Sequence, residues 1–205
     1  MQFTITHHSL PLARVFRISR GAKTHADVVR CHISVAGFSG RSECVPYARY
    51  GESVESVSTA INECLRMHNV ALTHLLSAVT AIEHIPQITD FITSLPLQGA
   101  AANAVDCALW DWVCKRFDQS IYRLLDLPEN KPVITAQTLS LDSLDNMLKQ
   151  AQTMHDAPLI KIKFDATDVV VKMQRISQIC PHSEFILDAN EAWSIDELNR
   201  IVDAL

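Results

Sequence analysis

Two lysines, Lys161 and Lys163, stand one residue apart in the stretch PLIKIKFDAT, with Ile160, Ile162 and Phe164 interleaved. Alternate side chains of a strand share a face, so a strand here carries both ammonium groups on one side, roughly 6.6 Å apart along the backbone. At an effective dielectric of about 20 that separation gives a repulsion of roughly 2.5 kcal/mol. Like charge so close favours the loss of one proton, which is what a general base near neutral pH requires. On an antiparallel edge strand the same spacing would be a solvated face and nothing more. On a parallel strand whose apolar side is covered by helices, the lysines must turn to the other side. A second signal follows in EFILDAN, where Asp188 and Asn190 share a face at the end of a strand. A carboxylate there is a candidate ligand for a hard divalent cation such as Mg²⁺, and equally a residue of an ordinary strand-ending turn.

The elements that must carry these residues can be read from hydrophobic period. VFRISRG and DVVRCHISVAG alternate, and GFSGRSECVPYARYG places turn glycines around a third short strand, which predicts an antiparallel meander. The period then becomes helical. Val54, Val57, Ile61, Cys64 and Leu65 fall on one face behind Ser53 as N-cap. A second, shorter helical segment lies within NVALTHLLSAVTAIEHI. GAAANAVDCALWDWVCKRF carries a broad apolar stripe through Ala101, Ala104, Val105, Ala108, Leu109, Trp112 and Val113, which marks its tryptophans as core. After DLPENKPV the pattern becomes strand-then-helix three times. VITAQTLSL precedes a helix capped by Asp142 and reaching about residue 154; LIKIKF precedes a helix over 168–179; EFILDAN precedes a helix opened by Ser194 and Glu197 at capping-box spacing. Successive β-then-α units predict parallel strands joined by right-handed crossovers, as in an α/β barrel. The fold class expected is an α+β capping domain over 1–130, followed by the first part of a TIM-like barrel over 131–205.

Composition bounds the function. The chain has 205 residues, 48% of them hydrophobic, enough for a sizeable core. Eighteen basic against 23 acidic residues, a net charge of −5 with no basic cluster, argue against a nucleic-acid surface. No secretory signal opens the sequence and no apolar run approaches the roughly 18 residues of a membrane span, so a cytoplasmic protein is expected. The six cysteines contain no CxxC pair and read as buried small hydrophobes in a reducing compartment.

The segments ECVPYARYGES, NAVDCALWD, VITAQTLSL, IKIKFD and FILDANEAW, in this order, resemble the enolase superfamily, with the dipeptide epimerases of L-Ala-D/L-Glu type as the best match. Members abstract a proton alpha to a carboxylate and stabilise the enediolate on Mg²⁺. The resemblance implies that Lys163 is a catalytic base and that Lys161 tunes it and approaches the substrate carboxylate. It implies that Asp188 is a Mg²⁺ ligand and that Thr138 contacts the substrate. Arg20 would reach the distal carboxylate of the dipeptide, and Arg49, in YARYG, would belong to a loop that closes over the site. Muconate cycloisomerase and o-succinylbenzoate synthase chemistry are alternatives within the superfamily, and Arg20 with YARYGES favours a dipeptide.

The family pattern also requires two more acidic Mg²⁺ ligands and an opposed lysine on later strands, which the sequence to Leu205 does not contain. The reading is therefore of a C-terminally truncated lineage member. It is expected to be inactive by itself and to hold Mg²⁺ weakly or not at all. A non-catalytic remnant acting through association, as a homo-oligomer or with a complementing chain, is the alternative.

Overall fold

The computed structural model describes residues 1–129 and 131–205. The chain folds as two compact units, Met1–Leu10 with His25–Asn130, and Pro11–Thr24 with Lys131–Leu205.

The first unit holds β3 (Phe38–Cys44) and those parts of strands β1 (Gln2–Ile18) and β2 (Gly21–Val35) that lie outside residues 11–24; the strand order is β1-β2-β3. β2 and β3 pair antiparallel from Val29↔Cys44 to Val35↔Phe38. Ala36 and Gly37, both at positive φ (51° and 80°), make the two-residue turn between them, as tight hairpins require. Val29, Cys31, Ile33 and Val35 alternate inward and are buried. Helix α1 (Val54–Met67) starts at a capping box in which Ser53 and Ser56 exchange hydrogen bonds, and it buries Val57, Ile61, Cys64 and Leu65. Helices α2 (Asn69–Ala78) and α3 (Ile85–Ser94) follow. Helix α4 (Gly99–Phe117) buries all seven residues of its predicted apolar stripe. It lies directly against β3 and the end of β2: the Ser42 hydroxyl donates to the Ala104 carbonyl, and Trp112 Nε1 donates to Val35 O at 3.2 Å. A short helix, α5 (Ile121–Leu124), ends the unit.

Besides the short α5, two features go beyond the sequence reading. β1 begins at Gln2, so the alternation in QFTITH is already strand, with Phe3 and Ile5 packed on the core. Helix α3 was not expected; Pro86 sits in its first turn, where a missing N–H costs nothing, and Ile85 and Ile88 are buried.

The second unit holds strands β4 (Gln137–Leu139), β5 (Leu159–Lys163) and β6 (Glu184–Asp188), parallel in the order β4-β5-β6. Helices α6 (Leu144–Gln152), α7 (Val169–Ile179) and α8 (Ile195–Ala204) alternate with them. The three strands do not close into a barrel. Ile160, Ile162 and Phe164 are fully buried in a core with Met147, Ala151 and Ile176.

Several expectations need correcting. The strand foreseen over VITAQTLSL is only three residues long, because Val133 and Ile134 are solvent-exposed and unpaired with a neighbouring strand. The N-cap of α6 is Ser143, not Asp142; the Asp142 carboxylate instead accepts from the Ser143 N–H (2.7 Å) and Asn146 Nδ2 (3.2 Å), one residue ahead of the cap. The capping box of Ser194 and Glu197 forms as the spacing predicts. Of the six free cysteines, Cys107 is exposed and Cys114 half-buried, so the buried reading holds for Cys31, Cys44, Cys64 and Cys180. Burial pushes the Cys31 thiol up to about 12 and Cys44 to about 11. Among the described residues no helix is long and apolar enough to cross a membrane.

Candidate active site

The register of the parallel sheet builds the site. With Ile160, Ile162 and Phe164 committed to the helix-covered side, Lys161 and Lys163 face the opposite one. Thr138 on β4 and Ile186 on β6 stand level with Lys161, and Asp188 stands level with Lys163. The Lys163 side chain is only 9% exposed, and those of Asp188 and Lys161 are 22% and 36% exposed.

The two ammonium groups do not simply face each other. Asp188 Oδ2 accepts from Lys163 Nζ at 2.6 Å and lies 2.8 Å from Lys161 Nζ, while Oδ1 accepts the Asn190 N–H at 2.9 Å. The repulsion argued from spacing alone is thus offset by a carboxylate between the two cations. Partial burial would push the Asp188 carboxyl up. The hydrogen bonds from Lys161, Lys163 and the Asn190 N–H, with the Lys163 charge, outweigh that and hold it well below the usual carboxylate range.

A folded-state pKa below the unfolded one stabilises the fold above the ordinary carboxylate range, and that contribution fades as pH falls through the lowered value. Asp188→Asn leaves two cations without their common partner and should cost about 2 kcal/mol at neutral pH, reduced from fully buried pairs because Lys161 and Asp188 are partly exposed. Urea melts of both proteins between pH 7 and 3 check this. The difference should hold to about pH 5 and shrink below about pH 4. A pH-independent difference would show that charge is not its origin.

The turn beyond Asp188 is unusual. Asn190 and Glu191 are consecutive non-glycine residues at positive φ, 49° and 71°; asparagine tolerates this conformation, whereas a glutamate adopts it at a cost. Ser19 Oγ donates to the carbonyls of Ala189 (3.1 Å) and Asn190 (3.3 Å), and Arg20 Nη1 lies 2.8 Å from Glu191 Oε2. Asn190 Oδ1 is buried and accepts no hydrogen bond. Trp193 Nε1 donates to Asp165 O at 2.7 Å, closing the far side of the turn against β5.

Of the residues picked from the sequence, the structure brings Lys161, Lys163, Asp188 and Thr138 together on one sheet face and sets Arg20 against the turn after Asp188. Arg49 lies in the first unit, in a 3-10 turn over Ala48–Tyr50. That loop is anchored by Glu52, whose carboxylate accepts the N–H groups of Tyr47 (3.1 Å) and Ala100 (2.7 Å). Sequence reasoning missed Ser19, Glu52 and Glu191. Only Glu191 carried a signal, an acid directly after the strand-ending DAN.

Magnesium takes about six oxygen ligands in near-octahedral geometry. Among the described residues no group of three or more His, Cys, Asp or Glu is placed to hold a metal ion. The carboxylate of Asp188 already serves two ammonium groups and a backbone N–H, so the described residues do not by themselves fit Mg²⁺.

Residues 1–126 match the mandelate racemase / muconate lactonizing enzyme N-terminal domain. An L-Ala-D/L-Glu epimerase of Escherichia coli (strain K12) is 35% identical over 195 residues, 92% of this chain and 54% of that protein. An N-acetyl-D-glutamate racemase of Pseudoalteromonas sp is 34% identical over 168 residues, 82% of this chain and 49% of that protein. Among solved structures, an enolase family member from Agrobacterium tumefaciens with homology to dipeptide epimerases, bound to sodium and L-Ala-L-Glu, superposes with a TM-score of 0.79 at 34% identity. That match covers 98% of this chain and 57% of the other. Magnesium accompanies a dipeptide in solved dipeptide epimerases of lower identity. The fold and the matched domain define a member of the enolase superfamily. Within that superfamily the chain groups with the dipeptide epimerases, and it spans about half the length of the curated relatives it matches.

Proposed function

We propose that this chain supplies the Lys163 side of a site for proton transfer at the α-carbon of an N-acylated glutamate, the Ala-Glu dipeptide first among them. One observation carries the reading: a nearly buried lysine bonded to Asp188 at the carboxyl ends of parallel strands, where barrel sites are built. The names of the two relatives narrow the substrate. L-Ala-D/L-Glu and N-acetyl-D-glutamate share a glutamate whose α-nitrogen is in an amide and whose side chain ends in a second carboxylate.

In this reading Lys163 takes the α-proton in its neutral form, after the proton it donates to Asp188 in the resting chain has left. The ammonium it becomes is the one that Asp188 holds at 2.6 Å. Lys161, one residue back on the same face, meets the α-carboxylate, and Thr138 beside it contacts the substrate. Arg20 meets the distal carboxylate, and Arg49 belongs to the loop closing over the ligand. No step is assigned to a metal.

A second reading, in which the chain acts through association with another copy or a complementing chain, draws on uncovered apolar surface. Strand β6 is an open edge with Ile186 42% exposed, and Ile195, Leu198 and Val202 form an exposed stripe along α8.

The deciding experiment is α-proton exchange. The chain is incubated in D₂O with L-Ala-L-Glu, or with N-acetyl-L-glutamate, and the α-proton signal is followed by NMR. Loss of that signal above the protein-free rate would support the base assignment, since exchange needs a base on one face only, whereas epimerisation, for which the chain is expected to be inactive by itself, needs one on each. A ligand that binds without exchange would sink the base assignment and leave the second reading.

A further inference from the structure

The turn that follows Asp188 is held from the tip of the β1–β2 hairpin, about 170 residues earlier in the chain. Ser19 fastens two of its carbonyls, and Arg20 Nη1 reaches both the Asn190 carbonyl (3.5 Å) and the Glu191 carboxylate (2.8 Å). Glu191 is brought to Arg20 by the left-handed backbone of Asn190 and Glu191 themselves, so an unfavourable conformation is spent on presenting a carboxylate to a guanidinium. Both partners are also open to solvent, with side chains 43% and 67% exposed. An exposed ion pair of this kind is weak and exchanges readily for another carboxylate.

We infer that Glu191 is an internal competitor for the Arg20 guanidinium: its carboxylate fills the place that the distal carboxylate of a ligand takes, and an acidic ligand engages Arg20 by displacing it. This rests on the reading of Arg20 as a carboxylate contact. The arrangement sharpens selection. A ligand without a second carboxylate has nothing to offer in exchange for the existing pair, so Arg20 stays on Glu191. A ligand that has one keeps Arg20 paired throughout, and the Ser19 hydrogen bonds need not change. The hairpin tip is therefore held more tightly while either carboxylate is in place and loosened when both are missing, when only the Ser19 hydrogen bonds and the Arg20 contact to the Asn190 carbonyl hold it to the turn.

Trypsin reads the latch directly, because it cuts after Arg20 only when the tip can leave the turn. Fragments identified by mass give the rate at that bond. Glu191→Gln should be cut after Arg20 several-fold faster than the parent chain, and glutarate, a plain dicarboxylate, should restore protection. The glutarate concentration needed should be roughly 1.5- to 5-fold lower in the variant, since no internal carboxylate opposes it. The monoamide of glutarate should not protect. Should the glutamine variant fold poorly, Glu191→Gly, which accepts φ near 71° without strain, carries the same test. Equal cleavage rates in parent and variant, or glutarate protection that is the same in both, would overturn the inference, as would a freed tip that glutarate fails to protect. Absence of α-proton exchange with glutarate protection intact would remove the proposed reaction and leave this inference standing.

Discussion

Replacing Gly40 by alanine should cost the first unit at least about 3 kcal/mol, at the upper end of what overpacking a core does. A Cβ at this position would lie 1.9 Å from the Ala108 carbonyl oxygen, 2.6 Å from Trp112 N and 2.8 Å from Trp112 Cβ. Two of those atoms are helix backbone and the third is the Cβ of a fully buried tryptophan, so no flexible side chain can swing aside. Helix α4 would have to rise from β3. That would strain the hydrogen bonds from Ser42 and Trp112 and open the contacts of Ala104, Ala108 and Trp112, all fully buried. For a chain of this length, 3 kcal/mol corresponds to roughly 6–12 °C of melting temperature. Thermal melts followed by circular dichroism check it. A midpoint within about 2 °C of the parent would mean that α4 does not sit as close to β3 as described. Gly40 is needed here for lack of volume rather than for backbone freedom.

Lys163→Ala should lower α-proton exchange by roughly 10²- to 10⁴-fold, the range found when a general base is removed. The effect should fall on the rate at saturating substrate and hardly on the concentration needed, because the lysine acts on the proton and not on the carboxylates. Lys161→Ala should show the reverse emphasis, a raised KM with a smaller loss of rate. The variants also differ in stability for a reason the structure supplies. Lys163 is the more buried partner of Asp188, so its removal leaves that carboxylate with the more exposed Lys161 and the Asn190 N–H. Exchange rates corrected for folded fraction separate the two effects. Equal loss in both variants would argue that the pair acts only by holding Asp188.

The elements that carry these side chains were legible where a single periodicity was strong. Helix α4 declared its whole buried face in advance, and the strands β5 and β6 were found with the lysines and Asp188 on the intended side. The α/β order was legible for the same reason, since three apolar strands alternating with capped helices admit few arrangements. Distance between charges was not legible. Spacing along β5 predicts two cations repelling, whereas cross-strand register inserts a carboxylate from β6 between them. The contacts of Ser19 and Glu191 were equally out of reach, because they join segments about 170 residues apart and depend on left-handed backbone at Asn190 and Glu191 that no composition signals. Helix α3 was missed because its pattern is short and follows directly on another apolar segment.

The hairpin tip has a consequence for how the polypeptide is made. Residues 11–24 belong with a unit whose remaining residues begin at Lys131, so the second unit is not one continuous length of chain. Synthesis proceeds from the N-terminus at about 5–20 residues per second. Ser19 is therefore added roughly 8–35 s before Ala189, its hydrogen-bond partner 170 residues on. For that interval the end of a long two-stranded ribbon that carries Arg17, Ser19 and Arg20 waits without its final partners at Asp142, Ala189 and Glu191, open to chaperones.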